Sequence, residues 1–464
     1  MKKNFLKFSI TTLFLILLTI IYLSAIGIET EIFNQQIKNK VNENNKNLKI
    51  NLKKIKLKLD PLRLKFNAKT VGARVLYSDK PLELEYIETD VSFASIIKRK
   101  FISSNFEIVS RSLQLDEIMK FAMAAHKNSE LFILEKIVKK GHIIFNLKIN
   151  FDENGKIKDD YEIGGTIKEG KVQLLNNYVY EKINFKFNLN KEEFKFQDIK
   201  FTTNKINFIS ENVNIKQKKD NFYIDGIIKT TDSTLSKNFL KVFNLNLKNF
   251  NLHNTIFSST NNFNFEINKN FKLKNIFLES EISLNLLKYK KDNYLSDYFP
   301  KVSDEIILKN HKLRLVYNEN LLTVTGVGQI KLEENFNKID YILKKKDQNF
   351  NIQSNLTLDA ISFKKQEILR VFFPTANEII NFKNQKLNIK YNNKKLSLSG
   401  EGKIKVDDEF ESIKYFVSTK DKKINFDLDL NLDKTNFEVN FLNYKKNDKI
   451  DTQLKINGYY EQNK

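Results

Sequence analysis

Lys309-Asn310-His311-Lys312-Leu313-Arg314-Leu315-Val316-Tyr317-Asn318 is answered, beginning at Lys383, by Lys383-Asn384-Gln385-Lys386-Leu387-Asn388-Ile389-Lys390-Tyr391-Asn392, an offset of 74 residues. In both stretches the apolar residues fall on alternate positions, Leu313, Leu315 and Tyr317 in one and Leu387, Ile389 and Tyr391 in the other. A period of two places them on one face of a β-strand. The match continues without a gap. Tyr298-Phe299-Pro300 falls on Phe372-Phe373-Pro374, Thr325-Gly326-Val327-Gly328 on Ser399-Gly400-Glu401-Gly402, Tyr341 on Tyr415 and Leu356 on Leu430. A repeat made of one-sided strands points to β architecture that grows by addition of units.

The same alternation runs from about Leu48 to Ile456. Phe185, Phe187 and Leu189 show it, as do Phe194 and Phe196, Phe222 and Ile224, Phe263 and Phe265, and Phe426, Leu428 and Leu430. Together with Leu313, Leu315, Leu387 and Ile389, these form the predicted apolar lining. Asn-Lys, Glu-Asn, Asp-Asn and Asn-Gly pairs punctuate the strands at hairpin spacing. Near the start, Leu48, Ile50 and Leu52 alternate, and the phase slips at Lys53-Lys54 before Ile55, Leu57 and Leu59 resume it. Such a slip predicts a β-bulge. Asp60-Pro61 then turns the chain into a strand carrying Leu62, Leu64 and Phe66, and a later run continues from Leu82 through Phe93 to Ser95-Ile96-Ile97.

Helical spacing interrupts the strands once. Asp116 caps a segment with Ile118, Phe121, Ala122 and Ala125, and Ser129 caps a second with Leu131, Leu134 and Ile137, a pair suited to closing the end of a sheet. Each 74-residue repeat opens with a short helical turn, Tyr294 to Phe299 and Ile368 to Phe373, which proline stops. About five strands are expected to follow in each copy.

The fold class predicted is mainly β: an N-terminal transmembrane helix followed by an elongated, curled antiparallel β-groove built from repeats, with a few short helices. The expected organisation is a cytoplasmic tail at 1–7, a signal-anchor at 8–28 and an N-terminal β segment at 29–115. A helical insertion at 116–141 and a β-groove at 142–293 follow. The two groove repeats occupy 294–367 and 368–443, and 444–464 is a terminal strand, the start of a further repeat or a truncated end. A chain of 464 residues exceeds what one compact core supports, yet four prolines and thirteen glycines leave no linker of their own kind. On the order of 25 to 30 strands in one open sheet would have to curl. At about 4.8 Å per strand they would extend roughly 120 to 140 Å. An apolar face must be covered by a second sheet, by the sheet itself, or by a ligand with hydrocarbon of its own.

Phe8 to Ile28 is an uncharged run of 21 residues preceded by Lys2, Lys3 and Lys7. It is long enough to cross a hydrocarbon core of about 30 Å, with Phe8, Leu13, Phe14, Leu15, Ile16, Leu17, Leu18, Ile20, Ile21 and Leu23 as its apolar body. The lysine flank places the N-terminus in the cytoplasm and the bulk of the chain on the far side. Ala25-Ile26-Gly27 is also a tolerable signal-peptidase site, so cleavage is the competing reading. With no cysteine, no disulfide or thiolate chemistry is open to the chain. The net charge of +22 is carried largely by lysines in the polar slots of strands, as with Lys56 and Lys58 between Ile55, Leu57 and Leu59. A solvated, aggregation-resistant strand face explains it without nucleic acid.

The anchor, the run Leu82-Glu83-Leu84-Glu85-Tyr86-Ile87-Glu88-Thr89-Asp90-Val91-Ser92-Phe93 with Ser95-Ile96-Ile97, the Ile102 to Val109 strand, and the strand entry Phe196-Gln197-Asp198-Ile199 resemble the AsmA-like family of YhdP/TamB-type envelope proteins. The resemblance is one of pattern over most of the chain, without a catalytic motif, and the chain is short beside the longer members. It implies an inner-membrane-anchored periplasmic protein. Its β-groove would conduct phospholipid toward the outer membrane, with an outer-membrane or periplasmic partner at the far side.

Nothing in the sequence points to an enzyme or a cofactor. His126, His142, His253 and His311 are scattered without metal-ligand spacing. Gly326-x-Gly328 and Gly400-x-Gly402 lack the lysine and hydroxyl of a phosphate loop and read as bulge or bend glycines. Asp159-Asp160 and Asp407-Asp408 read as solvated turns. The expected function is therefore binding and conduction of phospholipid along the apolar face. The alternative is a dry-cored scaffold for outer-membrane protein assembly.

Overall fold

A computed structural model describes the chain except for residues 1, 45, 78–79, 93–104, 126–128, 152–157, 159, 175–177, 219–220, 241–247, 269–271, 292, 366–369, 371–372, 374–375, 394, 407–408, 421–422, 436, 440–441, 447–449 and 462–464. Outside the described residues therefore fall Phe93 to Phe101 and Ile102, His126, Asp159, Asp407-Asp408, and most of the helical turn expected at Ile368 to Phe373. The described chain is mainly β, with 28 strands and a few helices. Every pairing described below is antiparallel. The chain divides into two compact units, Met1–Gly226 with Ile267–Asn270, and Ile227–Glu266 with Phe271–Lys464.

The first unit opens with helix α1, Lys2–Ala25, whose Phe5–Ala25 portion is long and apolar enough to cross a membrane. Thr11, Thr12 and Thr19 turn their hydroxyls inward to donate to the carbonyls of Lys7, Phe8 and Leu15, so no polar side chain is left facing lipid unpaired. The helix stops at Ala25 and does not reach Ile28 as the hydropathy suggested. Gly27 takes φ +78°, a left-handed conformation that ends helices, and both Ile26 N–H and Gly27 N–H fold back onto Tyr22 O.

Strands β1 (Ile28–Thr30), β2 (Leu48–Asn51), β3 (Ile55–Asp60), β4 (Lys65–Val71), β5 (Arg74–Tyr77), β6 (Lys80–Ser92) and β7 (Asn105–Ser110) follow, with helix α2 (Asn34–Asn44) after β1. The phase slip at Lys53-Lys54 is a strand break, not a bulge. β2 pairs with β5, whereas β3 pairs with β1 and β4, so the two alternating runs enter different ladders. Leu62 and Leu64 do not begin a strand either. They stand on an exposed turn, Leu64 at φ +50°, and β4 starts at Lys65. The thirteen-residue β6 joins the ladders, pairing with β5 through its first residues and with β4 through its last.

After β8 (Leu113–Gln114) come helices α3 (Leu115–Ala125) and α4 (Ser129–Ile137), in the places their spacing predicted. Ile118 and Phe121 of α3 pack on Leu82, Leu84, Ile108, Ile143 and Phe145, closing the apolar face over β6, β7 and the start of β9 (Val138–Asn150). α2 does the same over β3, β4 and β6, where Phe33 and Ile37 meet Ile55, Leu57, Phe66 and Val91. From β9 the strands β10 (Glu162–Gln173), β11 (Val179–Asn190), β12 (Glu193–Thr203) and β13 (Ile206–Lys218) pair in chain order, and β14 (Asn221–Thr234) follows. Asn204 and Lys205 form the β12–β13 turn with positive φ at both, as a type I′ hairpin requires.

The second unit holds helix α5 (Lys237–Leu240), β15 (Phe250–Asn251), β16 (Ile256–Asn268), β17 (Leu273–Lys290) and helix α6 (Asn293–Tyr298). The meander continues with β18 (Glu305–Asn318), β19 (Leu321–Lys331), β20 (Phe336–Lys346), β21 (Asn349–Lys364), β22 (Ile379–Asn392), β23 (Lys395–Lys405), β24 (Phe410–Lys420) and β25 (Lys423–Leu432). A small ribbon of β26 (Glu438–Val439) and β27 (Tyr444–Lys445) precedes β28 (Thr452–Glu461), which pairs with β25. From β17 to β25 each strand pairs with the next. The repeats contain four long strands each, β18 to β21 and β22 to β25, in place of the expected five. Asn457-Gly458 lies inside β28 and turns nothing. Glu319 and Asn320 form the β18–β19 turn, both at positive φ.

Candidate functional site

Register places the predicted lining of the second unit on one face. Ile282, Leu313, Gly326, Tyr341, Ser354, Ile389, Leu398, Val417, Phe426 and Gly458 are successive partners across β17 to β25 and β28. A parallel row runs Gly328, Ile339, Leu356, Leu387, Gly400, Tyr415, Leu428 and Ile456, and a third begins Leu315, Val324, Leu343, Ile352 and Tyr391. Leu313 and Leu387 are equivalent in the repeat, yet Leu313 shares its row with Ile389. The apolar pattern is thus displaced by two residues along the strands with each repeat.

The opposite face is polar. The side chains of Asp340, Asn355 and Asn388 form a hydrogen-bonded ladder, with Asn355 Nδ2 donating to Asp340 at 2.8 Å and Asn388 Nδ2 to Asn355 Oδ1 at 2.7 Å. Arg314 Nη2 lies 2.6 Å from the Glu279 carboxylate.

In the first unit Phe187 pairs with Phe196 and Leu189 with Phe194, while Gly165 and Ile163 of β10 and Phe145 and Leu147 of β9 extend the same rows. Phe185 meets Phe196 edge-on, ring centroids 5.7 Å apart. Phe222 and Ile224 occupy alternate positions of β14, and Phe263 and Phe265 of β16, the latter two rings stacked at 6.0 Å. Of the sixteen predicted lining residues only Phe187 and Leu430 are fully buried; the others are half-buried. A sheet sealed by a second layer would bury such central positions completely.

At particular places the chain does seal itself. Leu430 belongs to a dry cluster in which Phe373, Phe437 and Val439 cover Ile380, Ile404, Ile413 and Leu432. This cluster occupies one end of the strands, where connections fold back over the sheet. Buried lysines hold those connections. Lys365 donates to Ala376 O and Lys291 to Val302 O, positions equivalent in the repeat, and Lys446 donates to Thr435 O at 3.1 Å and Asp433 O at 3.2 Å. Each ammonium satisfies carbonyls that the connection would otherwise bury unpaired.

The repeated glycines have a different role from the one their spacing suggested. The bulge residues are Asn310 and Asn384 on the neighbouring strands, at φ +52° and +53°, where the registers of β18 with β19 and β22 with β23 shift. Gly326 and Gly400 leave room for rings: an added Cβ would lie 2.3 Å from Cζ of Tyr341 or Tyr415. Each tyrosine reaches the residue after the bulge. Tyr415 Oη donates to Gln385 Oε1 at 2.9 Å, and Gln385 Nε2 donates to Lys383 O and Lys403 O. In the first copy His311 Nε2 lies 3.0 Å from Gln329 O. A carbonyl can only accept, so that nitrogen carries the proton and Nδ1 is left to accept from Tyr341 Oη at 3.4 Å. Burial, partly offset by the bond to Gln329, lowers the His311 pKa below the usual imidazole value. Burial raises the Tyr341 phenol and pushes Tyr415 up to about 12. Alternation could not reveal these polar clamps. The signal available was the aligned pair His311 and Gln385, two polar residues in a position where a lining residue would be apolar.

His142 and His253 are exposed. Among the described residues, no three His, Asp or Glu side chains converge in a way that could hold a metal ion. All ten predicted anchor residues lie in α1, and Ile20 and Leu23 alone among them are half-buried. Comparison with protein-family models, with curated proteins and with solved structures finds no match.

Proposed function

We propose that this chain is a membrane-anchored, non-enzymatic lipid-binding protein of AsmA-like type, which holds phospholipid acyl chains against the apolar rows of β9 to β13 and β17 to β25. The observation that carries the reading is the partial burial of these rows: aliphatic and aromatic side chains stand in register over many strands, and those at row centres stay half-buried. Acyl chains lying on them would gain about 0.8 kcal/mol per buried methylene, without requiring a specific polar contact. The anchor would sit in the inner membrane with the N-terminus cytoplasmic and the strands periplasmic, as the lysine flank favours. Delivery toward the outer membrane, with a partner there, belongs to the same proposal.

A dry-cored assembly scaffold is the second reading, and the clusters around Leu84, Val91 and Leu432 favour it locally. Purification of the full chain in mild detergent, solvent extraction and mass spectrometry separate the two. Co-purifying phospholipid in at least stoichiometric amount supports the lipid reading, and a lipid-free preparation that keeps its β-structure rejects it in favour of the scaffold.

A further inference from the structure

Leu62 is 94% exposed and Leu64 71%, on the turn that joins β3 to β4. The turn is ordered, not loose: Asp60 Oδ1 accepts from Leu62 N–H at 3.0 Å and Arg63 N–H at 3.1 Å. Leu64 is held at φ +50°, where a bulky side chain is uncommon. A structure that fixes two leucines outward, with a strained backbone at one of them, leaves unexplained what they meet.

The register supplies a surface. β1 begins two residues after the Gly27 bend that ends α1, and Ile28 pairs with Leu57 and Thr30 with Ile55. β3 therefore runs back toward the helix, and at about 3.3 Å per residue its end at Asp60 lies some 10 Å behind the level of Ile28. α1 packs against β3. Leu23 shares a cavity of about 460 Å³ with Leu57 and Phe66 of the hairpin. Ile20, Leu23 and Ser24, which share one helix face, are half-buried, while Leu13 to Leu18 and Ile21 stay exposed. The hairpin thus lies along the last turns of the segment long enough to cross a membrane.

We propose that the Pro61–Leu64 turn is a second membrane contact, with Leu62 and Leu64 entering the boundary between headgroups and acyl chains of the leaflet from which α1 emerges. Arg63 and the exposed Lys58 stand at the level of the lipid phosphates, and Ile26, Ile28 and Ile32, also exposed, add to the same apolar rim. Leucines flanked by cationic side chains suit this boundary, where the charged ends reach the headgroups. Two attachments, one spanning and one interfacial, would fix the tilt and rotation of the first strands relative to the bilayer. The inference rests on α1 crossing the bilayer and is independent of whether lipid occupies the rows.

The chain has no cysteine, so single probes can be placed cleanly. Full-length Leu62→Cys, Val71→Cys and Phe14→Cys variants carrying an environment-sensitive fluorophore are reconstituted into phosphatidylethanolamine/phosphatidylglycerol vesicles. They are then quenched by iodide and by lipids spin-labelled near the headgroup or deep in the chain. Val71, 53% exposed at the other end of β4, is the aqueous control, and Phe14 reports the span itself. The expected result is several-fold stronger quenching of the Leu62 probe by shallow spin-labelled lipid than of the Val71 probe, with several-fold protection from iodide. Equal iodide access at the two positions overturns the proposal, as does shielding of Leu62 from both quenchers, which means protein covers it. Loss of deep quenching at Phe14 instead locates the failure in the anchor.

Discussion

The Tyr415 ring lies across Gly400 of the adjacent strand so closely that a Cβ on that glycine would sit 2.3 Å from Cζ. Tyr341 and Gly326 repeat the relationship in the preceding copy. Gly400→Ala must therefore displace a ring held by a hydrogen bond to Gln385, and overpacking of this kind costs about 1 to 3 kcal/mol. Hydrogen exchange over β22 to β24 should accelerate correspondingly, and Gly326→Ala should act likewise over β18 to β20. Unchanged protection would mean the ring moves aside freely.

Tyr415→Phe keeps the packing and removes only the bond to Gln385, for an expected loss of about 1 kcal/mol. The phenol is pushed up to about 12 in the fold, from an ordinary value near 10. Its contribution is therefore complete below pH 10 and lost as pH rises through 12. Alkaline unfolding followed by circular dichroism should be shallower in the phenylalanine variant than in the parent chain.

His311 gives the opposite slope. Burial lowers its pKa, so the folded chain resists protonation that the unfolded chain accepts, and stability falls as pH drops below about 6.5 toward the folded value. His311→Gln installs the residue that the second copy carries at the equivalent position, Gln385, which makes the same kind of clamp without titrating. Thermal unfolding at pH 5 and pH 8 should differ less in the variant than in the parent.

Lys365→Met leaves Ala376 O without its donor in a buried connection, and the expected cost is about 1 to 3 kcal/mol. The destabilisation should be confined to the connection after β21 and the cluster it covers, where limited proteolysis would report it. Cleavage unchanged in rate would show that the lysine does not hold the connection.

Phe426→Asp and Leu428→Asp place charge in the middle of two apolar rows while leaving α1 untouched. Lipid recovered by mass spectrometry from the doubly substituted chain should fall at least several-fold, with membrane fractionation unaltered. Phe416→Asp, on the opposite, polar face and already exposed, serves as the control that should retain lipid.

Most of the strands and the apolar face were legible from residues alone. The alternation Leu313, Leu315 and Leu387, Ile389 placed those side chains together because side-chain direction along a strand is a local property. The helix pair at Leu115–Ala125 and Ser129–Ile137 was legible for the same reason. Less was readable where the outcome depended on which partner a segment found. Leu62 and Leu64 continue the alternation yet stand on a turn, and Leu48 to Leu59 reads as one interrupted strand yet divides between two ladders. Gly326 and Gly400 gave the position of the polar clamps but not their cause, which lies on the neighbouring strands.

By itself, then, the sequence determined the membrane-length helix, the β character of everything after it and the residues that share the apolar face. Those follow from hydropathy and a period of two, both set by neighbours in the chain. Tertiary structure alone decided where that face is closed by α2, α3 and the Phe373–Phe437 cluster, where it stays half-open, and how each repeat slips by two residues against the last. Those choices arise from pairing between residues far apart in the chain, and no local pattern encodes which side chains will meet there.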